Sequence, residues 1–159
     1  MACSDLRSRK IAWTFDLLND VSKKSSNICT MAKCSADYVV VGCAEGFASI
    51  ISNRDRSVVK TERLHKDDIR GVSCIAASGV SGIARAVNSV YVSTSSFDGL
   101  VGVWKVDFNA LSSPSMFRPL SILRGHTDKV LSTTFNHANG DIVTSGADGS
   151  VLLWRGSSL

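Results

Sequence analysis

Apolar residues recur along this chain as short runs, without the 3.6-residue period of an amphipathic helix. Val90-Tyr91-Val92-Ser93, Val101-Gly102-Val103-Trp104, Ile142-Val143-Thr144 and Val151-Leu152-Leu153-Trp154 are rich in β-branched or aromatic residues and too short for helices. Asp98-Gly99 and Asp148-Gly149 stand between successive runs, where a tight hairpin is expected. Ala76–Ser89 and Asp107–Phe117 are rich in Ser, Gly, Asn or Pro and read as surface loops. Many short strands with regular turns predict an all-β fold.

Aligning the Asp-Gly dipeptides exposes an internal repeat. One copy runs from His65 through Thr94 and Asp98-Gly99 to Trp104; another runs from His126 through Thr144 and Asp148-Gly149 to Trp154. In both, Thr precedes Asp by four, Trp follows it by six, and an aliphatic residue (Ile69, Val130) follows the His by four. A third, degenerate copy lies upstream, with Val41, Glu45-Gly46 and Ile51 in place of Thr, Asp-Gly and Trp. Equivalent positions are 53 residues apart from Ile51 to Trp104 and 50 apart from Trp104 to Trp154. Both intervals exceed the roughly 40–45 residues of a WD repeat, and the two loop segments house the excess.

Residues 124–154, RGHTDKVLSTTFNHANGDIVTSGADGSVLLW, resemble an almost complete WD-repeat motif. The middle copy resembles it too, with Leu64-His65 where the family has Gly-His, and the first copy follows by register. The resemblance covers about residues 25–155. It implies a partial WD-repeat β-propeller of about three four-stranded antiparallel blades, not a closed ring from one chain, since propellers have about 4–8 blades. The implied blades are about 25–62, 63–122 and 123–155, after an N-terminal segment 1–24 and before a tail 156–159. It also implies two hydrogen-bonded tetrads that tie strands to a turn: His65, Thr94, Asp98 and Trp104, and His126, Thr144, Asp148 and Trp154. Such a buried network must be complete, because an orphaned member costs about 1–3 kcal/mol. In the first copy the partners are replaced together by apolar Val41 and Ile51, which avoids that cost.

No outer strand follows the last copy. In this family an N-terminal strand often supplies one, and Lys10–Leu17 is strand-like and available; it could equally be the outer strand of an upstream blade. An open arc exposes sheet edges and faces, a liability for a soluble protein. A longer parent propeller, self-association, or a partner that completes the ring would each resolve it.

Composition adds limits. The net charge is +4 with no long basic run, which gives nucleic-acid binding little support. The five cysteines have no C-x-x-C spacing, so no metal site is expected. They read as reduced thiols, hence a cytoplasmic or nuclear protein. No segment has the signal-peptide pattern or approaches the roughly 20 apolar residues of a membrane span. No phosphate-binding glycine loop or G-x-S-x-G elbow occurs, and a triad of Ser145, His126 and Asp148 is set aside because the repeat gives these residues structural positions. No cofactor and no catalysis are expected.

The remaining expectation is protein binding. The face carrying the His-bearing loops and the Asp-Gly turns would present Arg63, Lys66, Asp67, Phe97, Arg124, Thr127 and Lys129 to partner proteins or peptides. Phe97 stands out as an aromatic before a turn, either an interface anchor or packed on the adjacent loop. The function expected is a scaffold or adaptor within a multiprotein complex. Two alternatives are a substrate receptor of a ubiquitin ligase, disfavoured because neither Trp104 nor Trp154 opens a W-D-x-R sequence, and an RNA- or ribosome-associated protein.

Overall fold

The structure is a computed structural model that describes residues 27–77, 89–110 and 115–156, together with the backbone strands 2–5 and 10–14. Most of the loop 76–89, the Ser112–Pro114 stretch, residues 15–26 and the tail beyond 156 lie outside the described residues.

Three antiparallel sheets follow one another along the chain. The first is built from β3 (Ile28–Lys33), β4 (Tyr38–Cys43), β5 (Phe47–Ser52) and β6 (Ser57–Arg63) in that order. The second is β7 (Ile69–Ala76), β8 (Ser89–Ser96), β9 (Val101–Asp107) and β10 (Phe117–Leu123). Among the described residues the third has three strands: β11 (Val130–Phe135), β12 (Ile142–Gly146) and β13 (Val151–Trp154). Among the described residues the only helical element is the turn Ala44–Gly46.

Near the N-terminus, β1 (Ala2–Asp5) pairs with β2 (Lys10–Thr14) as a separate hairpin. The strand expected within Lys10–Leu17 therefore forms, but its described partner is β1 and not the edge of the third sheet.

The sheets stack face to face. Pleating sends alternate residues of β4 to opposite sides. Val40 joins Ala48 and Ile50 in a cluster with Val72, Val92 and Trp104 of the second sheet. Val39, Val41 and Cys43 join Ile51 in a second cluster on the other side. With both faces buried, the unbroken Val39-Val40-Val41 run needs no polar alternation. Val103 meets Phe135 and Ile142 between the second and third sheets.

The Asp107–Phe117 segment departs from its expectation as a surface loop. Phe108, Met116 and Phe117 are buried in the junction of the first two sheets, and Phe108 stacks on Tyr38 with ring centroids 4.2 Å apart and planes at 6°. The Ser, Asn and Pro content describes the middle of the segment; its two ends carry the apolar anchors.

The cysteines also depart from theirs. Cys34 and Cys74 are disulfide-bonded, joining the residue that follows β3 to β7, with Cα atoms 5.2 Å apart. Forty residues of sequence separate them, so only the stacking of consecutive sheets brings them together. The pair removes thiol content as a ground for placing the protein in a reducing compartment.

Candidate functional site

The three turns that carry the repeat signature share a glycine in the left-handed region, although only the first also holds its acidic residue, Glu45, at positive φ. Gly46, Gly99 and Gly149 have φ of 81°, 80° and 77°, a region that L side chains rarely adopt. In the second and third sheets the same bonds close the turn: Ser96 and Gly146 N–H groups donate to the carbonyls of Leu100 and Ser150, and Gly99 and Gly149 donate back to Ser96 and Gly146.

In the second and third sheets the turn aims its Asp at a histidine from the preceding inter-sheet loop. In the second sheet, His65 Nδ1 lies 3.1 Å from Asp98 Oδ2, and His65 Nε2 lies 2.7 Å from Thr94 Oγ1. Trp104 Nε1–H donates to the same Thr94 oxygen at 2.8 Å. A neutral imidazole with its proton on Nδ1 satisfies the chain: Trp104 donates to Thr94, Thr94 to His65, and His65 to Asp98. Asp98 also accepts the N–H groups of Lys66 and Leu100, both at 3.0 Å, and so fixes the loop and the turn together.

The third sheet repeats the arrangement with His126, Thr144, Asp148 and Trp154 at 2.9, 2.8 and 2.9 Å along the chain. Ser150 is a fifth member that the repeat did not reveal, because Leu100 occupies its place in the other copy. Its hydroxyl donates to Asp148 Oδ1 at 2.7 Å and lies 3.2 Å from His126 Nδ1. With Nε2 taken by Thr144, His126 presents no free nitrogen toward Ser145, and the triad set aside above is not assembled.

These contacts shift the ionisable groups. Burial holds the His65 imidazole below its usual value, against the opposing pull of Asp98. Partial burial works to raise the Asp98 carboxyl, but the Lys66 N–H, His65 and the Leu100 N–H outweigh it and hold the group below the usual carboxylate range. Hydrogen bonds from the Ser150 hydroxyl and N–H, then from Thr127, hold Asp148 well below that range. All three folded-state values lie below the unfolded ones. Each group therefore contributes stability that is present above its unfolded pKa and lost as pH falls through the folded value. Acidification should lower the melting temperature in two stages, first below about pH 6.5 as His65 charges and again below about pH 4 as the carboxyls protonate. Thermal melts at fixed ionic strength test this; a flat melting temperature from pH 7.5 to 3 contradicts it.

The side carrying these loops and turns holds the expected binding residues, in differing roles. Arg63 braces the loop, its Nε donating to the carbonyls of Glu45 and His65 and its Nη2 to that of Lys66. The Asp67 carboxylate accepts the Asp68 N–H. The Thr127 N–H donates to Asp148 Oδ2. Lys66, Arg124 and Lys129 are exposed. The Phe97 ring is half-buried between two cations, 5.0 Å from the Arg70 guanidinium and 4.7 Å from the Lys129 ammonium, so it packs on the adjacent loop while keeping part of its surface open. Phe97, Leu100, Arg124, His126 and Lys129 help to line a groove of about 340 Å³ between the second and third sheets on this side.

Comparison with known proteins agrees with this geometry. Residues 117–155 match the family described as WD domain, G-beta repeat. A chain of the "Crystal Structure of Mitotic Checkpoint Complex" superposes with a TM-score of 0.68 at 15% identity. The match covers 98% of this chain and 40% of that one, so the present sequence spans less than half the length of its structural neighbour. No curated protein matches significantly in sequence. The fold is an open, partial propeller. Residues 117–155 carry a WD repeat.

Proposed function

We propose that this chain is a non-catalytic scaffold or adaptor that binds other proteins within a multiprotein complex. The observation that carries this reading is the far face of the third sheet. Ala48 and Ile50 of the first sheet are both 0% exposed; their equivalents in the second, Val101 and Val103, are 1% and 2% exposed. The third pair, Val151 and Leu153, is 70% and 57% exposed. A face that is covered in two repeats stands open in the last. Exposed apolar surface beside an open strand edge favours association. This supports docking of a further sheet that continues the arc, whether from a longer form of this protein, from a partner or from a second copy.

Light scattering on purified chain tests the reading. The wild type should exceed 17.0 kDa or gain mass with concentration, and a Val151→Glu/Leu153→Glu double variant should return to 17.0 kDa with an unchanged melting temperature. A wild type that stays a soluble monomer at all concentrations contradicts docking of a second copy on this face.

The loop-and-turn side is the second surface in this proposal, with Phe97 and its flanking cations at its centre. Phe97→Ala should weaken binding of a captured partner about tenfold or more while leaving the fold intact, the loss expected for an aromatic anchor. Equal affinity of the two forms would remove Phe97 from the interface.

A further inference from the structure

The two described junctions between sheets are held by different chemistry at the same positions. Each inner strand opens on a bulge, between Ile28 and Thr30 in β3, Ile69 and Gly71 in β7, and Val130 and Ser132 in β11. Counting from that bulge, Cys34, Ile75 and Asn136 are equivalent, as are Lys33, Cys74 and Phe135. Ala32 likewise stands at the place of Ser73, Val40 at that of Ser93, and Val72 at that of Thr133.

At the second junction these positions meet through hydrocarbon and hydroxyls. Ile75 packs on the cluster that contains Phe135. The Phe135 N–H donates to Ser73 Oγ at 3.1 Å, and the Thr133 hydroxyl donates to Ser93 Oγ at 3.0 Å. At the first junction the hydroxyl-bearing places are taken by Ala32, Val40 and Val72, whose side chains make no hydrogen bonds and share one apolar cluster. Two sulfurs stand where the second junction has Ile75 and Phe135, and they are bonded to each other.

Noncovalent contact at these positions is enough to seat the third sheet on the second, so the architecture does not require a covalent bond there. The two sulfurs also differ in access. Cys74 is 8% exposed, whereas Cys34 is half-buried, so an external thiolate reaches the Cys34 sulfur first.

We propose that Cys34 and Cys74 form a reversible redox site, opened and closed by exchange with low-molecular-weight thiols and disulfides, that sets how tightly the first sheet is held to the second. On opening, a thiolate attacks Cys34 Sγ, forms a mixed disulfide and expels the Cys74 thiolate. A second thiolate attacks the reagent's sulfur in that mixed disulfide and expels the Cys34 thiolate. Two reagent thiols become one disulfide, and their two electrons and two protons pass to the cysteine pair; closure is the reverse. In the open form the apolar cluster keeps the Cα atoms near their 5.2 Å spacing, within the range from which the bond re-forms. The second junction, with no sulfur pair at these positions, does not respond.

Alkylation and peptide mass mapping of the folded whole chain, across a series of reduced-to-oxidised glutathione ratios, test the site. Cys34 and Cys74 should escape the label together at the oxidised end and take one label each at the reduced end. A sample returned to the oxidised ratio before labelling should escape it again. On reduction the melting temperature should fall by about 5 °C or more, because a link across 40 residues no longer restricts the unfolded chain. A Cys34→Ala/Cys74→Ala chain should melt at one temperature whatever the ratio. Amide exchange in β4 should quicken about tenfold on reduction while that in β12 stays unchanged. Three results overturn the proposal. One is labelling of both cysteines at the oxidised end, which means that no bond forms. Another is a bond that opens only in denaturant, which makes it a permanent cross-link. The third is an equal change in β12 and β4, or none in either, which separates the bond from the first junction.

Discussion

Phe117→Ala is expected to cost about 3–5 kcal/mol of unfolding free energy, the range for truncating a buried Phe. The ring is 1% exposed and is the largest fully buried side chain among the described residues. It packs between two sheets, so its loss leaves a cavity that neither sheet can close without sliding on the other. Leu120, three residues along the same strand and 43% exposed, faces an open cleft beside the third sheet instead. Leu120→Ala should cost under about 1 kcal/mol, since little apolar surface returns to water. Urea unfolding of both variants measures the contrast. Similar small costs would show that β10 is not the strand that seals the first junction.

Thr94→Val is expected to cost about 2–5 kcal/mol although it changes volume very little. The single Thr94 hydroxyl serves both the Trp104 indole and the His65 imidazole, and its removal orphans both inside the protein at about 1–3 kcal/mol each. Thr144→Val removes the same bonds in the third sheet. It should cost less, because Trp154 is only half-buried and water can reach its indole, although the His126 ring is as buried as that of His65. Equilibrium unfolding should therefore rank Thr94→Val as the more damaging change. The reverse order would mean that the third sheet's network, not the second's, holds the frame.

The repeat made much of this legible before any coordinates. Fixed spacing from Thr to Asp to Trp identifies positions that must converge, because a hairpin with a positive-φ glycine returns the second strand in one register only. The alternation of Val101, Val103 and Val151, Leu153 likewise marks a face. Four features were hidden for physical reasons. The Cys34–Cys74 bond joins residues far apart in sequence and depends on sheet stacking, which spacing does not encode. Phe108 and Phe117 sit at the ends of a polar segment, and its composition masked their burial. The hairpin of β1 and β2 competes with the latch role that the strand pattern equally allowed, since a strand pattern specifies pairing capacity but not the partner. Ser150 adds a contact in one copy only, so comparison of the copies could not find it.

Amide hydrogen exchange on the isolated chain most directly tests whether the last sheet is open. The β9 amides, Val101–Asp107, lie between two strands and should be strongly protected. In β13, Val151–Trp154, the N–H groups that face away from β12 should exchange rapidly, as at any unpaired edge. Protection of β13 equal to that of β9 would mean that a fourth strand already covers the edge, and would contradict an open arc.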